Sequence, residues 1–460
     1  MPSSIATPAA APPRRGLLAR LGLDRPELRA WAMYDWANSA MMVVVVTAIF
    51  PIFFSAVAAA GLPGSTATAR FSIATTIALA IIALLAPVLG TLADFAGAKL
   101  RFLGGFLLLG AAATGLMFFI RQGHWLLALV LFGLANVGAN GSFVFYDALL
   151  PHVARDDEMD RVSTAGYALG YIGGGLLLAF CLLLTQKPAW FGLPSGPGIS
   201  ADAAALPARV SFVLTAVWWL LFSIPLFRRV GEPPVAPRAA GSTARSAVRA
   251  SWAQLGRTFR ELATYRQALL MLVAFLLYND GIGTIIRMAA IYGEEMGLSR
   301  GVMIAAIVMV QFVGIPFAFL FGALAGRIGA RPAIFIGLAT YAGISVLGYF
   351  MRTATHFLIL AALVGVVQGG TQALSRSLFA SMIPRQKSGE FFGFFSVFEK
   401  FAGIFGPAFF SVAILLTGSS RSALLSIILF FVAGGWLLAR VDVPAGQARA
   451  RAAEPRPEAA

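Results

Sequence analysis

Four groups of polar side chains recur at helical spacing inside otherwise apolar stretches of this chain. Tyr34, Asp35, Asn38 and Ser39 form the first. Asn136, Asn140 and Asp147 form the second, at steps of four and seven. Asp280, Thr284 and Arg287 repeat those steps in the third, with Asn279 beside them. Gln368, Thr371, Gln372 and Ser375 form the fourth. Residues three, four or seven apart share one helix face, so each group reads as a polar stripe. Such stripes can hold a polar solute or pass a proton. Arg287 offers a planar fork for a carboxylate or phosphate, and Asp280 offers a partner for an amine or a proton. The two lie about 10 Å apart along a helix axis, a separation that suits a zwitterion. The alternative is an internal charge network that closes a cavity without touching a solute.

Further charged residues extend the candidate set. Asp35 sits near the start of its apolar stretch, where a coupling acid, a helix cap and a partner for the Arg29 region are all open. Asp147 and Arg376 fall at ends of their stretches: a gate or a loop anchor suits Asp147 better than solute binding, and Arg376 suits a pair across the gate. Glu399 and Lys400 are adjacent, and neighbours on a helix point about 100° apart. One is therefore expected to face a cavity and the other the interior of a bundle. Glu399 is the candidate coupling acid of the pair.

These residues need elements that cross lipid. Twelve apolar stretches run through the chain, at 31–58, 69–93, 101–120, 125–149, 163–185, 209–227, 268–292, 301–325, 333–351, 356–381, 390–417 and 421–440. A helical crossing takes about 20 apolar residues. The chain is 59% hydrophobic and 12% charged, against about 25% charged in soluble domains. An all-α polytopic membrane protein follows, with twelve transmembrane helices in two six-helix bundles. The polar stripes fall on the first, fourth, seventh and tenth stretches.

The net charge of +15 sits at helix ends and in loops, not on one soluble face, which argues against a nucleic-acid partner. Lys99, Arg101, Arg155, Arg161, Arg327, Arg331, Arg385 and Lys387 fall on one side, with both tails and the central loop. Positive-inside bias makes that side cytoplasmic, where anionic lipid is an expected partner of the loops. Residues 1–30 read as a basic disordered tail with one interfacial turn, and 441–460 as a second cytoplasmic tail. Residues 31–227 and 268–440 are the two bundles. The Arg-rich linker 228–267 joins them, and its segment Ser251–Arg266 suits a basic amphipathic helix on the inner leaflet. The Ala/Arg/Gly-heavy composition suits a bacterial chain, and hence an inner membrane.

An internal repeat supports two halves. GTLADFAGAKLR, from Gly90 to Arg101, follows the second stretch, and GALAGRIGAR, from Gly322 to Arg331, follows the eighth. Each has a glycine, a second glycine seven residues on, and a cation two residues later. Gly326 stands where the first copy has Asp94. Gly90, Asp94, Gly97, Lys99 and Arg101 resemble the loop signature of the major facilitator superfamily. YDWANSA, LYNDGIGTIIRMAAIYG, QGGTQALSRSLFASMIP and FFGFF resemble its vacuole-effluxer branch, whose fungal members export amino acids from the vacuole. The resemblance implies that helices 1, 4, 7 and 10 line a central cavity between the bundles.

Gly166, Gly170 and Gly174 make a small-residue stripe for close helix packing, with sliding between bundles as a second use. Gly406-Pro407 marks a kink. The single cysteine, Cys181, precludes an intrachain disulfide. The three histidines, His124, His152 and His356, lie at helix ends. No Gly-Lys phosphate loop, zinc pattern or nucleophile–base motif is present, so no cofactor, metal or enzymatic activity is expected. The expected function is secondary transport of a small polar or zwitterionic solute, amino acids first, coupled to protons or another ion and directed outward. A monomer is expected. The alternative is a non-transporting receptor or scaffold that recruits partners through the Arg-rich loop. Deleting residues 238–256 separates the two. A transporter should keep solute flux within about twofold in proteoliposomes, whereas a scaffold should lose its function.

Overall fold

The computed structural model describes residues 16–234, 260–402, 405–417 and 420–454. Within them all regular structure is helical. The membrane helices are α1 Pro26–Ala58, α2 Gly64–Ala96, α3 Lys99–Leu116, α4 Trp125–Val153, α5 Met159–Gln186 and α6 Leu206–Arg229. The second half has α7 Arg266–Glu295, α8 Arg300–Ile328, α9 Ala330–Tyr349 and α10 Ala354–Ala380. Helix α11 is described in two parts, Ser388–Phe401 and Phe405–Thr417. Helix α12 is Arg421–Ala439, and α13, Val443–Ala452, follows it. Among the described residues, eleven helices are individually long and apolar enough to span a bilayer. The twelfth crossing is the divided α11, whose parts have 14 and 13 residues. The fold is therefore the twelve-helix arrangement that the apolar stretches predict.

The helices outrun those stretches at several ends. Helix α2 has 33 residues, more than the hydrocarbon thickness requires, because backbone hydrogen bonding continues into the interfacial zone. Helix α1 contains two wide π-helical stretches, Met41–Ile49 and Phe54–Ala58. Thr47 donates to the carbonyl of Met42, five residues back, at 2.9 Å. Hydroxyls elsewhere in the spans bond four residues back: Thr75 to Phe71, Thr114 to Gly110 and Thr215 to Ser211. That satisfies a polar group without leaving the helix. Leu84, Leu108, Leu221, Leu415, Leu429 and Val432 cover the outside. An apolar exterior of this kind has lipid as its solvent.

The two halves repeat one packing scheme. Helix α1 packs on α6, α2 on α4 and α3 on α4; α7 packs on α12, α8 on α10 and α9 on α10. Between halves, α2 meets the first part of α11, and α5 meets α8 and α10. The approach of α2 to α11 is a backbone contact. A Cβ on Gly90 would strike the carbonyl of Gly389, and one on Gly393 would lie 2.6 Å from Pro87. Gly97 ends α2 at φ 59, a left-handed turn that glycine takes without strain.

The small-residue stripe of α5 has a different partner from the one its second use requires. Cβ atoms on Gly166 and Gly170 would meet Trp31 and Asp35, so the stripe seats α1 inside its own bundle. The surface of α5 toward the other half is instead Thr164 against Gly322, Tyr171 against Gly314 and Gly369, and Gly175 against Gln311.

Residues 1–15, most of the linker and residues 455–460 lie outside the described residues, as does most of the expected amphipathic helix 251–266. Leu17–Arg20 forms the single turn expected before α1. Helix α13 folds back onto the bundles: Gln447 donates to Ser381, Gln267 accepts from the amide of Asp442, and Glu454 pairs with Arg385.

The α2–α11 contact should be intolerant of bulk. In a Cys181→Ala, Ser377→Cys background, Gly393→Leu should raise labelling of Cys at 377 by a polar maleimide at least several-fold. Unchanged labelling would show that the glycine contact does not hold the halves together.

Candidate functional site

A buried charge lies between the halves. Arg376, on α10, is 3% exposed. Its Nη1 donates to Asp147 Oδ1 at 2.9 Å and lies 3.9 Å from Asp35 Oδ2. Its Nε donates to Ser163 Oγ at 3.0 Å and its Nη2 to the Ser163 carbonyl at 2.9 Å. Ser163 Oγ donates onward to the carbonyl of Ala373 at 2.7 Å. Three rings surround the guanidinium, with centroids at 4.8 Å for Tyr167, 5.0 Å for Trp31 and 5.5 Å for Tyr146. All are within cation–π range. Trp31 and Tyr146 stack at 4.4 Å, and Trp31 Nε1 donates to the Tyr146 carbonyl. Asp35 also accepts from Ser39 at 2.8 Å and from Tyr146 at 3.4 Å. Every group around Arg376 comes from α1, α4 or α5, while Arg376 belongs to the other half.

The same face carries further ties. Asp94 accepts from the amides of Gly389 and Glu390, at 3.1 and 2.7 Å, and pairs with Lys99 at 2.6 Å. A carboxylate at the start of a helix is favoured by the unpaired N–H groups there. His152 Nε2 lies 3.3 Å from Lys99 Nζ and 3.1 Å from Ser388 Oγ. Ser377 donates to Asp160 at 2.6 Å, and Arg385 pairs with Asp156 at 2.6 Å. Arg101 stands apart: its amide and that of Leu100 donate to Glu232, which caps α3. The N-terminal segment closes on the same side through Arg25 and Glu158. The halves are therefore latched on the face that carries the termini.

Above the latch lies a cavity of about 520 Å³. Asp35, Asn140, Asp147, Gln368, Gln372, Arg376, Glu399 and Lys400 line it, with Ser39, Thr47, Tyr167, Tyr171 and Gln311. Its apolar wall includes Met42, Ile285, Ile307, Val310, Val364 and Leu424. The lining reaches Met351 and Phe357, in and beside the loop between α9 and α10, at the end opposite the latch. Lys400 pairs with Glu399 at 3.0 Å. Both line the cavity, against the expectation that they would divide between cavity and bundle, because their long side chains swing toward each other across the 100° offset.

Six candidates stand outside that lining. Asn38 donates to Ser142 at 2.9 Å, and Asn136 to the carbonyl of Phe132 at 3.0 Å, both inside the first bundle. Asn279 is buried and accepts from Gln372 at 3.4 Å. Thr284 donates to the carbonyl of Asp280 at 2.7 Å. Asp280 Oδ2 accepts from the amide of Gly406 at 2.7 Å, at the start of the second part of α11. It thus ties α7 to the second described part of α11, and a Cβ on Gly406 would collide with Thr284. Arg287 is exposed, one turn from Gly283. Among the described residues no His/Cys/Asp/Glu cluster suits a metal. Sequence reasoning missed Trp31, Tyr146, Ser163, Tyr167 and Tyr171. Trp31 and Tyr146 look like ordinary core aromatics, whereas Tyr167 and Tyr171 carry a faint signal as two phenols one turn apart in a glycine-rich helix.

Two helical bundles around a central cavity with a polar and an apolar wall define a membrane transporter of the major facilitator fold. Solved structures agree: FucP, a major facilitator transporter in the outward conformation, superposes with TM-score 0.67 at 15% identity, covering 91% of this chain and 99% of that one. The sequence profile of the "Vacuole effluxer Atg22 like" family matches residues 23–451, and the chain belongs to that family. An uncharacterized MFS-type transporter of Bacillus subtilis, YxiO, is 39% identical over 413 residues, 90% of this chain and 94% of that protein. Autophagy-related protein 22 of Coccidioides immitis is 24% identical, over 78% of this chain and 70% of its own length. The chain is thus an integral membrane transporter, not an enzyme.

A buried ion pair stripped of one partner leaves an uncompensated charge, which costs about 3–5 kcal/mol. Arg376→Ala should lower unfolding stability in detergent by about that much. Asp147→Asn combined with it should cost less than the sum of the single changes, and strict additivity would show that the two residues are not coupled.

Proposed function

We propose that this protein is a secondary active transporter that moves a small zwitterionic solute, amino acids first, outward across a bacterial inner membrane by alternating access. The observation that carries the reading is the two-sided chemistry of the cavity. Lys400, Gln368 and Gln372 come from the second half and offer donors to a carboxylate. Asp35 and Asp147 come from the first half and offer acceptors to an ammonium, while Glu399 pairs with Lys400. The wall of Met42, Ile285, Ile307 and Leu424 suits an apolar side chain.

Rocking of the two bundles about this midplane cavity would expose it alternately. Protons are the proposed coupling ion, because Asp35 and Asp147 lose their guanidinium partner whenever the halves part and a proton can neutralise a carboxylate. Symmetric use of the latch glycines, Gly90 on α2 and Gly322 on α8, supports the same motion. With the basic loops beside anionic lipid, the latched face and both termini lie in the cytoplasm. A monomer contains the whole cavity.

Counterflow in proteoliposomes tests the proposal. Vesicles preloaded with unlabelled leucine, glutamine or arginine should accumulate the labelled compound, and an imposed proton gradient should change the initial rate. Lys400→Ala should reduce counterflow at least tenfold while the protein still purifies as a single species. Failure of every amino acid to exchange removes the proposed cargo, and indifference to the gradient removes proton coupling.

A further inference from the structure

The box around Arg376 is built like a ligand site, but its occupant is part of the protein. Trp31, Asp35, Tyr146, Asp147, Ser163 and Tyr167 all belong to the first bundle. They give a planar cation four oxygen acceptors: Asp147 Oδ1, Asp35 Oδ2, Ser163 Oγ and the Ser163 carbonyl. While the latch is closed the Ser163 hydroxyl donates to the carbonyl of Ala373, also on α10, so its oxygen faces the guanidinium as an acceptor. Three ring centroids lie within 5.5 Å of the guanidinium carbon. Asp35, Asp147 and Tyr167 also line the cavity, so the box is continuous with the solute space.

Arg376 rides on α10 of the other bundle. When the halves separate on the latched face it must leave, because its anchor moves with the second bundle. Two carboxylates and the ring faces then stand without a cation, at the opening. Desolvated carboxylates need a counter-charge, and the vacated space has the shape and acceptor pattern of a guanidinium.

We propose that this box binds the guanidinium group of a transported solute when the latched face is open, and that Arg376 is its tethered competitor, displacing the solute toward the far end of the cavity as the latch closes. The proposal rests on the transport reading above and narrows its cargo to guanidinium-bearing small molecules. An arginine-like zwitterion fits both ends: its guanidinium in the box, its carboxylate toward Lys400. Asp147 and Asp35 then serve solute and gate in alternation, which ties release of the cargo to closure.

Two arms test this on the full-length protein. In counterflow, wild-type vesicles should exchange arginine and agmatine, which lacks a carboxylate. Asp147→Asn should reduce agmatine exchange at least tenfold. Tyr167→Leu should lose most of the exchange, and Tyr167→Phe, which keeps the ring, should lose clearly less. In the second arm, Arg376→Ala in detergent should gain thermal stability from millimolar methylguanidine, with no gain from equimolar sodium, and Arg376→Ala/Asp147→Asn should lose that response. Leucine exchange without arginine or agmatine exchange overturns the guanidinium assignment and leaves the transport reading standing. Exchange of none of these compounds overturns both. Methylguanidine rescue without agmatine exchange shows a gate cage only and overturns the cargo assignment.

Discussion

A guanidinium withdrawn almost wholly from solvent is the constraint on which the arrangement of the two halves depends. Arg376 reaches from one bundle into the other and finds two carboxylates, a hydroxyl, a carbonyl and three ring faces. A buried charge is tolerable only when its partners are close and its donors are satisfied. The bundles must therefore meet closely on this face while Arg376 is inside. Should they part, each side faces an unpaired charge. That gives the contact two discrete states rather than a continuum, which is what an alternating cavity needs.

Around this ion pair the chain uses cheaper means of bringing backbones together. Gly90 and Gly389 let α2 and α11 touch, and Asp94 then caps α11 across the gap. On the pseudo-symmetric side Gly322 admits Thr164 of α5. The repeat is unequal because only the first copy carries an acid. Lys99 holds Asp94, whereas Arg331 donates to the carbonyl of Val441 before α13. Both repeats thus meet the opposite bundle through their first glycine, and the second also anchors the chain before the C-terminal helix.

Helix α11 is tied to α7 by one buried carboxylate. Asp280 accepts from the amide of Gly406 in the second described part of α11, which turns a polar residue of α7 into structural support. A backbone amide without an intrahelical partner in a membrane must find one, and Asp280 serves that of Gly406. Glu399 and Lys400 lie in the first described part, and their mutual pair faces the cavity. Support of the helix and definition of the solute space therefore meet on one element.

The order of the apolar stretches fixed the class of this protein. Twelve crossings, two halves and the Gly90–Arg101 signature follow from hydropathy and spacing, because lipid demands uninterrupted apolar length and close packing demands glycine. The stripes on Asp35, Asn140, Asp147, Gln368 and Gln372 pointed inward for the same reason: polar groups in lipid are costly wherever they do not face something polar. Helical period gives the face of a residue but not its partner. Asp280 and Asp147 look alike in the sequence, yet one accepts from the backbone of α11 and the other binds Arg376. Asn38 and Asn136 share faces with cavity residues and still turn into their own bundle. Trp31, Tyr146 and Ser163 join the site only because α1, α4 and α5 bring them round one guanidinium. Hydropathy and period act along one helix, whereas pairing between distant helices is decided only when the bundles pack.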